Sequence, residues 1–241
     1  MKNITLLSLI FWLSTIISAQ NRFAGGIFAG VNLTQIDGDF QQGYNKRMFG
    51  GGIRAAMILT KNFDIGTELM YNGKGAKPSD ADKSSRTPNF YMTMHYAEAA
   101  LMANFHFDQT EEGYNSKTIQ IGLSYGRLLS SKNDIFKLTL RDTIASKQFS
   151  QENLKNSDVS LVVGFSYRFT PKIGVSMRHS YSLTPFFENN APLKPRPSAD
   201  QRNYVLGRSY FLSMHIFYDL WTPELRKIKK GKKKTIKKIS S

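Results

Sequence analysis

The stretch FGGGIRAAMILTKNFDIGTELMYNGKG, residues 49–75, decides the fold because it alternates along two strands joined by a short turn. One set of alternate positions carries no charge and is almost entirely apolar, running from Phe49 to Leu59 and from Phe63 to Tyr71. The opposite set is small or polar and holds every charge of the two strands. Such a ribbon is typical of a barrel in lipid, with apolar side chains outward and polar ones in the lumen.

The short turn at residues 60–62 also predicts how these two strands pair. If Leu59 pairs with Phe63 across the turn, the same register places Arg54 opposite Glu68. We therefore expect Arg54 and Glu68 to form a cross-strand pair of opposite charges inside the barrel.

Six further segments alternate in the same way, so the sequence predicts eight strands. The six are predicted at residues 23–34, 91–107, 118–128, 158–169, 173–183 and 204–220. Connections after the first, third, fifth and seventh strands are long, and the longest is expected over residues 129–156. Long outer loops and short periplasmic turns are typical of outer-membrane barrels. The predicted fold is therefore all-β, an eight-stranded antiparallel up-and-down transmembrane β-barrel with extracellular loops and periplasmic termini.

Composition is compatible with this fold, although it does not reveal it. The chain has 241 residues, of which 21% are charged, and its mean hydropathy is mildly negative. After the N-terminal segment, no apolar run approaches the roughly 20 residues that a membrane helix needs. This excludes a helical membrane protein. It does not exclude a barrel, because alternation hides the hydrophobicity of the strands from any average.

Residues 1–19 resemble a secretory signal peptide, with a positive charge at Lys2, an apolar stretch over residues 4–17 and small residues before Gln20. Cleavage is expected after Ala19, which leaves a barrel domain over residues 20–221. A retained membrane anchor is the alternative, but the apolar stretch is shorter than a spanning helix. The chain has no cysteine, so no disulfide can stabilise the exported protein.

Aromatic residues of the apolar face are expected to form two girdles at the membrane interfaces. The periplasmic set is Phe63, Phe107, Tyr167, Phe169, Tyr218 and Trp221, and the outer set is Phe49, Tyr71, Tyr91, Tyr125, Tyr181 and Tyr204. A soluble eight-stranded barrel of the lipocalin kind is the competing fold. Its narrow interior could not hold so many aromatic side chains.

Charged residues of both signs occupy the inward positions of the predicted strands. They are Arg54, Asp64, Glu68, Glu98, Asp158, Arg168, Arg178 and Asp219. His106 and His215 share this face, and Arg178 is expected opposite Gly164, which would give its guanidinium room. Because an unpaired charge inside a narrow barrel costs several kcal/mol, we expect a salt-bridged network that fills the lumen. A path for protons or ions is the alternative interpretation.

Four segments resemble one known family. They are GIFAGVNLTQIDGD at residues 26–39, ELMYNGKGAK at 68–77, the stretch from Tyr96 to Glu98 and YSLT at 181–184. Over roughly residues 23–218 the chain resembles the outer-membrane β-barrel domain of Bacteroidota, often labelled PorT-like. It departs from that family at Ala99-Ala100, where a proline is usual, and in continuing past Leu220. The resemblance implies a membrane barrel, and some relatives are linked to type IX protein secretion.

The sequence contains no pattern that indicates catalysis or a cofactor. Some small outer-membrane barrels are lipid A deacylases, which combine an outward histidine with a serine and an acid. The outward histidines here, His95 and His179, lack a serine and a carboxylate at the same parity nearby. Neither a glycine-rich phosphate loop nor metal-ligand spacing is present. We therefore expect no enzyme activity, no cofactor and no metal.

A basic tail over residues 222–241 follows the last strand and is expected to be disordered. Its cations are Arg226, Lys227, Lys229, Lys230, Lys232, Lys233, Lys234, Lys237 and Lys238. After an even number of strands the tail would lie in the periplasm. There we expect an anionic partner, such as lipid head groups, peptidoglycan carboxylates or an acidic protein. Nucleic acid is not expected as a partner, because the signal peptide directs the chain out of the cytoplasm.

These observations together predict a protein integral to the outer membrane of a Gram-negative bacterium and surrounded by its lipid. We expect a non-enzymatic barrel, closed to bulk solutes, that acts as a structural or interaction module. One alternative is an accessory subunit of type IX secretion or another envelope assembly machinery. A surface-lipid-modifying enzyme is a further alternative, and lipid A profiling of a deletion would test it.

Overall fold

Eight antiparallel strands form a closed barrel in the computed structural model, which describes residues 22–37, 43–79, 89–136, 154–186 and 208–221. The strands are β1 (Phe23–Asp37), β2 (Lys46–Thr60), β3 (Phe63–Ala76), β4 (Asn89–Gln109), β5 (Asn115–Phe136), β6 (Ser157–Arg168), β7 (Ile173–Ser182) and β8 (Arg208–Trp221). Each strand pairs with the next, and β8 pairs with β1. The predicted eight-stranded antiparallel barrel is therefore confirmed.

The barrel has two different ends. Short connections at residues 61–62, 110–114 and 169–172 define the turn end, and the longer connections 38–45, 77–88, 137–156 and 183–207 define the loop end. This alternation of lengths agrees with the sequence prediction. The predicted signal peptide and basic tail, like residue 204 of the outer girdle, lie outside the described residues.

Strands β4 and β5 extend farther than their sequences predict. β5 continues to Phe136, so the prediction that a loop begins at residue 129 is wrong. The pairing of β4 with β5 shifts register between His95 and Tyr96, where β5 has the extra residue Leu129. A bulge of this kind interrupts the period of two. The continuation of the strand past the bulge therefore could not be recognised from alternation alone.

The β2–β3 hairpin has the predicted register along most of its length. Arg54 lies opposite Glu68, and Ile58 lies opposite Asp64. Next to the turn the register shifts, and Thr60 rather than Leu59 pairs with Phe63. The predicted pairing of Leu59 is therefore wrong, because this residue is the extra one of an irregularity beside the tight turn.

The outward face is apolar, as the alternation predicts. Leu69, Ile216 and Leu220 are at least 60% exposed. Eight of the predicted girdle aromatics are also exposed on this face. They are Phe49, Tyr71, Phe107, Tyr125, Tyr167, Phe169, Tyr218 and Trp221. Phe63, Tyr91 and Tyr181 are half-buried. The described residues contain no helix that is long and apolar enough to cross a membrane.

Two inward glycines give neighbouring side chains room inside the barrel. Gly164 lies opposite Arg178, as predicted, and a Cβ atom on Gly164 would lie 2.6 Å from Cγ of Arg178. A Cβ atom on Gly30 would lie 1.9 Å from the backbone oxygen of Met214 and 2.8 Å from Cδ2 of His215. Side chains from facing strands therefore cross positions that larger residues would fill.

Candidate functional site

The centre of the lumen holds an ion pair that joins opposite walls of the barrel. Arg178 on β7 donates from Nη1 and Nη2 to the two carboxylate oxygens of Glu68 on β3, at 2.6 and 2.8 Å. Both side chains are buried, and Nε of Arg178 donates to Gln120 on β5 at 3.0 Å. Two parallel charge-assisted hydrogen bonds fix the relative position of their partners. Strands that are not neighbours in the sheet are thus connected through the interior.

At the turn end, Asp219 on β8 binds two arginines. Arg54 donates to Oδ1 of Asp219 from Nε at 3.0 Å and also from Nη2, and Arg168 donates to Oδ2 at 3.0 Å. Both guanidinium groups face the ring of Phe217, with Cζ of Arg54 4.1 Å from the ring centre. This cluster has two positive charges and one negative charge, and we call it the turn-end cluster.

The predicted ion pair between Arg54 and Glu68 is therefore wrong, although their register is right. Arg54 and Asp219 are both register neighbours of Gly26 on β1, which has no side chain to separate them. Because Arg54 reaches Asp219 over this glycine, Glu68 is left to pair with Arg178.

A chain of neutral and charged groups connects the turn end with the central pair. Asp64 accepts hydrogen bonds from Asn104 at 2.6 Å and from His106 at 2.5 Å. Asn104 in turn accepts from the amide of Gln120 at 3.0 Å, and the oxygen of that amide accepts from Arg178. The groups of this chain thus satisfy one another instead of lining a free path.

Lys74 on β3 is the central charge of the loop-end cluster, which also contains Glu98 and Asp158. Its Nζ lies 2.6 Å from Oε1 of Glu98 and 2.6 Å from Oδ2 of Asp158, and all three side chains are almost completely buried. The rings of Tyr96 and Phe211 lie 4.8 and 5.2 Å from the same nitrogen. This cluster has one positive charge and two negative charges, the reverse of the turn-end cluster.

Lys74 is absent from the charged residues that the sequence predicts in the lumen, because the inward set was not followed to the end of β3. The signal was nevertheless present, since Lys74 continues the inward parity of Glu68 and Asn72.

Hydroxyl groups add to the loop-end cluster. Asp158 accepts hydrogen bonds from Ser160 and Thr184 at 3.0 Å each, and also from Ser182.

An apolar cap covers the loop-end cluster, which contradicts the prediction that inward positions are small and polar. Its buried members are Ile36, Ala76, Met92, Met94, Tyr96, Leu154 and Phe186. Leu154 and Phe186 come from the connections rather than from the strands of the barrel. A narrow barrel must fill its interior with side chains, and flexible methionines suit its irregular spaces. The inward face therefore holds buried apolar side chains as well as charges, and the largest apolar group lies at the loop end.

Two small spaces lie beside these groups in the described part of the lumen. A cavity of about 40 Å³ borders Arg54, Asp64, His106, Arg168 and Asp219 at the turn end. A second cavity of about 10 Å³ borders His215, whose ring nitrogens have no hydrogen-bond partner in the structure. Because one water needs about 10–15 Å³, these spaces suit a few waters and not a larger solute.

The eight charged residues predicted to face the lumen all do so, and they divide among the groups described above. The described residues include no cluster of three His, Cys, Asp or Glu side chains that could hold a metal ion. The outward histidines bind tyrosines: His95 pairs with the hydroxyl of Tyr71, and His179 with that of Tyr44 at 3.1 Å. What this arrangement can do is hold the barrel wall together across its interior.

Comparison with known proteins gives one family match and several likenesses of shape. No curated protein matches the chain. Among solved structures, Ail of Yersinia pestis is 7% identical, with 82% of this chain and 99% of that chain covered and a TM-score of 0.37. Neisserial surface protein A is 12% identical, with 82% and 96% covered and a TM-score of 0.36. The N-terminal barrel domain of Pseudomonas aeruginosa OprF is 10% identical, with 81% of this chain and 96% of that chain covered and a TM-score of 0.35.

The family match is more specific than these likenesses, whose low TM-scores add nothing to the strand order already described. Residues 18–188 match the family described as outer membrane protein beta-barrel domain. This match covers well over half of the chain and includes both charge clusters apart from the residues of β8. The chain therefore belongs to the outer membrane protein beta-barrel domain family and is an integral outer-membrane protein.

Proposed function

We propose that this protein is a non-enzymatic structural or interaction module of the outer membrane, closed to bulk solutes. One observation carries the proposal: the lumen is occupied from end to end by paired charges and by an apolar cap. The cap contains Met92, Met94, Tyr96 and Phe186, all completely buried. A barrel of eight strands has little interior space beyond its own side chains. The protein then acts through its surfaces rather than by conducting solutes.

Planar-bilayer recordings test the closed lumen. The purified barrel should give no stable, reproducible conductance steps. A variant with Met92, Met94 and Tyr96 all changed to alanine removes three large side chains of the cap and serves as the matched comparison. Steady large channels from the wild-type protein would contradict the proposal, whatever the variant does.

The proposed orientation places the loop end outside the cell and the turn end in the periplasm. Support comes from the alternation of long and short connections, which is the usual asymmetry of these barrels. Because the chain has no cysteine, single cysteines report position cleanly. Lys77→Cys lies at the loop end and Lys172→Cys at the turn end, and both lysines are exposed. An impermeant maleimide should label only the first in intact cells; labelling of only the second would reverse the orientation.

The basic tail is proposed as a periplasmic arm that binds an anionic partner. Its support is the sequence, since residues 222–241 lie outside the described part of the chain. Each lysine or arginine near an anionic surface contributes about 1 kcal/mol, and salt weakens that attraction. A chain that ends at residue 223 should still give a heat-modifiable barrel but lose salt-sensitive co-purification. Failure of this truncated chain to assemble would show that the tail belongs to the folding unit.

Membership of the PorT-like group of Bacteroidota and a role in type IX secretion are finer proposals that rest on the sequence resemblance. Stable co-purification of the intact barrel with secretion components would favour the accessory-subunit role over an independent module. A changed lipid A mass profile in a deletion strain would instead favour a lipid-modifying enzyme. We expect neither result.

A further inference from the structure

A shallow groove follows β4 on the outward face near the loop end. Its floor is Ala97 and Ala99, both exposed. Leu69 and Tyr71 flank the floor on β3, where Tyr71 is the register neighbour of Ala97 and Leu69 that of Ala99. On β5 the neighbour of Ala97 is Arg127, and Tyr125 is the neighbour of Ala99. Two methyl side chains thus lie between larger ones on both sides, and we call this surface the β4 groove.

The groove is not a general property of the outward face. Outward positions of β6, β7 and β8 include no glycine or alanine in the described strands. Near the loop end these strands present Val159, Leu161, His179, Tyr181, Tyr210 and Leu212. A lipid chain therefore meets a depression over β4 and a layer of large side chains over β6, β7 and β8, while β1 and β2 carry other small outward residues at Ala29 and Gly51.

Polar groups lie at the loop-end limit of the groove. Arg127 is exposed and makes no salt bridge with a carboxylate of the described residues. On the opposite side, the rings of Tyr71 and His95 stack with centres 5.8 Å apart at 20°, and the Tyr71 hydroxyl bonds to Nδ1 of His95. Lys117 is another outward cation of β5, but it differs from Arg127 because it lies at the turn end and pairs with Asp108 at 2.8 Å.

An exposed guanidinium beside an apolar groove fits an anionic lipid whose chain lies on the groove and whose phosphate meets Arg127. Arg127 and Tyr71 are two strand spacings apart, about 10 Å, so a headgroup that contacts both is wider than one phosphate. A phosphorylated sugar has this width, and its hydroxyls can bond to the tyrosine and the histidine.

We propose that the β4 groove binds a phosphorylated glycolipid of the outer leaflet, with Arg127 on its phosphate, His95 and Tyr71 on its sugar and an acyl chain over Ala97 and Ala99. This inference rests on the proposed orientation of the loop end. It gives the protein a specific lipid partner on one side of the barrel.

The test uses the full-length mature protein in phosphatidylcholine nanodiscs that contain either lipid A or the same fraction of phosphatidylglycerol. Native mass spectrometry then measures how much of each lipid remains on the barrel after release from the disc. Arg127→Gln removes the charge, and Ala97→Leu fills the floor while leaving every polar group in place. Lys117→Gln is the matched control, because it removes an outward charge from the same strand at the turn end.

The wild-type barrel should retain lipid A in preference to phosphatidylglycerol. Loss of one arginine near an anionic headgroup should lower lipid A retention about fivefold. Ala97→Leu should lower it as well, and Lys117→Gln should leave it unchanged. The proposal would be overturned if lipid A retention were unchanged in both groove variants. It would also be overturned if Lys117→Gln lowered lipid A retention as much as the groove variants do. Equal retention of phosphatidylglycerol would overturn the assignment to a glycolipid.

Failure of this test is distinguishable from failure of the proposed orientation. Both leaflets of a nanodisc contain the added lipid, so retention does not depend on which end of the barrel faces outward in the cell. Cysteine labelling at residues 77 and 172 measures orientation separately. If lipid A retention depends on Arg127 but cysteine labelling shows the reverse orientation, the groove still binds the lipid. Only the assignment of that lipid to the outer leaflet would then be refuted.

Discussion

The two ends of the lumen hold similar numbers of charges in very different surroundings. At the loop end, Lys74 and its carboxylate partners are at most 2% exposed. At the turn end, the side chains of Arg54 and Arg168 are 16% and 19% exposed, and a small cavity adjoins them. Coulomb interactions are stronger where water is absent, and an unpaired charge there costs more. The same kind of contact should therefore matter more under the cap than at the open end.

The largest effect is expected when Lys74 is replaced by methionine. This change leaves Glu98 and Asp158 buried without their shared cation, and breaking a buried pair costs about 3–5 kcal/mol. Urea unfolding in detergent, followed by heat-modifiable gel mobility, measures the loss of stability. The control combines Lys74→Met with Glu98→Gln and Asp158→Asn, which removes the charges together. If the single variant unfolds like the wild type, the cluster is not the buried ion pair described above.

The central pair should show the next largest effect, as a coupling energy. A double-mutant cycle with Glu68→Gln and Arg178→Met should give a coupling of about 1–3 kcal/mol, because two hydrogen bonds cross the lumen in a buried setting. Unfolding in urea is again the measurement. Additive single effects would show that the two walls are not joined at this point.

A smaller loss is expected for Arg54→Met at the turn end. Arg168 still binds Asp219 in this variant, and the site adjoins a cavity, so we expect a loss of about 1 kcal/mol. Measuring Arg54→Met beside Lys74→Met under the same conditions compares the two ends directly. Equal losses would contradict the difference in burial between the clusters.

The smallest effect is the coupling between Arg54 and Glu68. Their Cα atoms are register partners, but each side chain binds a different residue. We therefore expect a coupling below about 0.5 kcal/mol in the cycle with Arg54→Met and Glu68→Gln. The Glu68 and Arg178 cycle is its positive control. A coupling as large as in that control would restore the pair predicted from the hairpin register.

Much of the fold could be predicted because alternation is a local property. Each strand's apolar set indicates its outward face, and the order of short and long connections separates the two ends. Bulges are different: Leu129 interrupts the alternation of β5, and the strand continues only because β4 provides hydrogen-bond partners. The irregularity beside the turn, where Leu59 is the extra residue, was missed because it also interrupts the regular pairing of a strand.

The charged residues of the lumen could be identified without their partners. Parity was enough to place Asp64, Glu68, Arg178 and Asp219 inside, and it would have placed Lys74 there had β3 been extended. Parity does not extend to residues outside the strands, so the sequence contained no signal that Phe186 and Leu154 would complete the cap.

The sequence by itself determined the membrane barrel, the number of strands and the face on which most strand residues lie, because these follow from a period of two along each strand. The tertiary structure decided which charges meet. Arg54 binds Asp219 because closure of the barrel brings β8 beside β1, where Gly26 leaves the space between them open. Glu68 binds Arg178 across the lumen because the curvature of the closed sheet makes β3 and β7 face each other. Contacts of this kind depend on closure of the whole barrel, which no single hairpin contains.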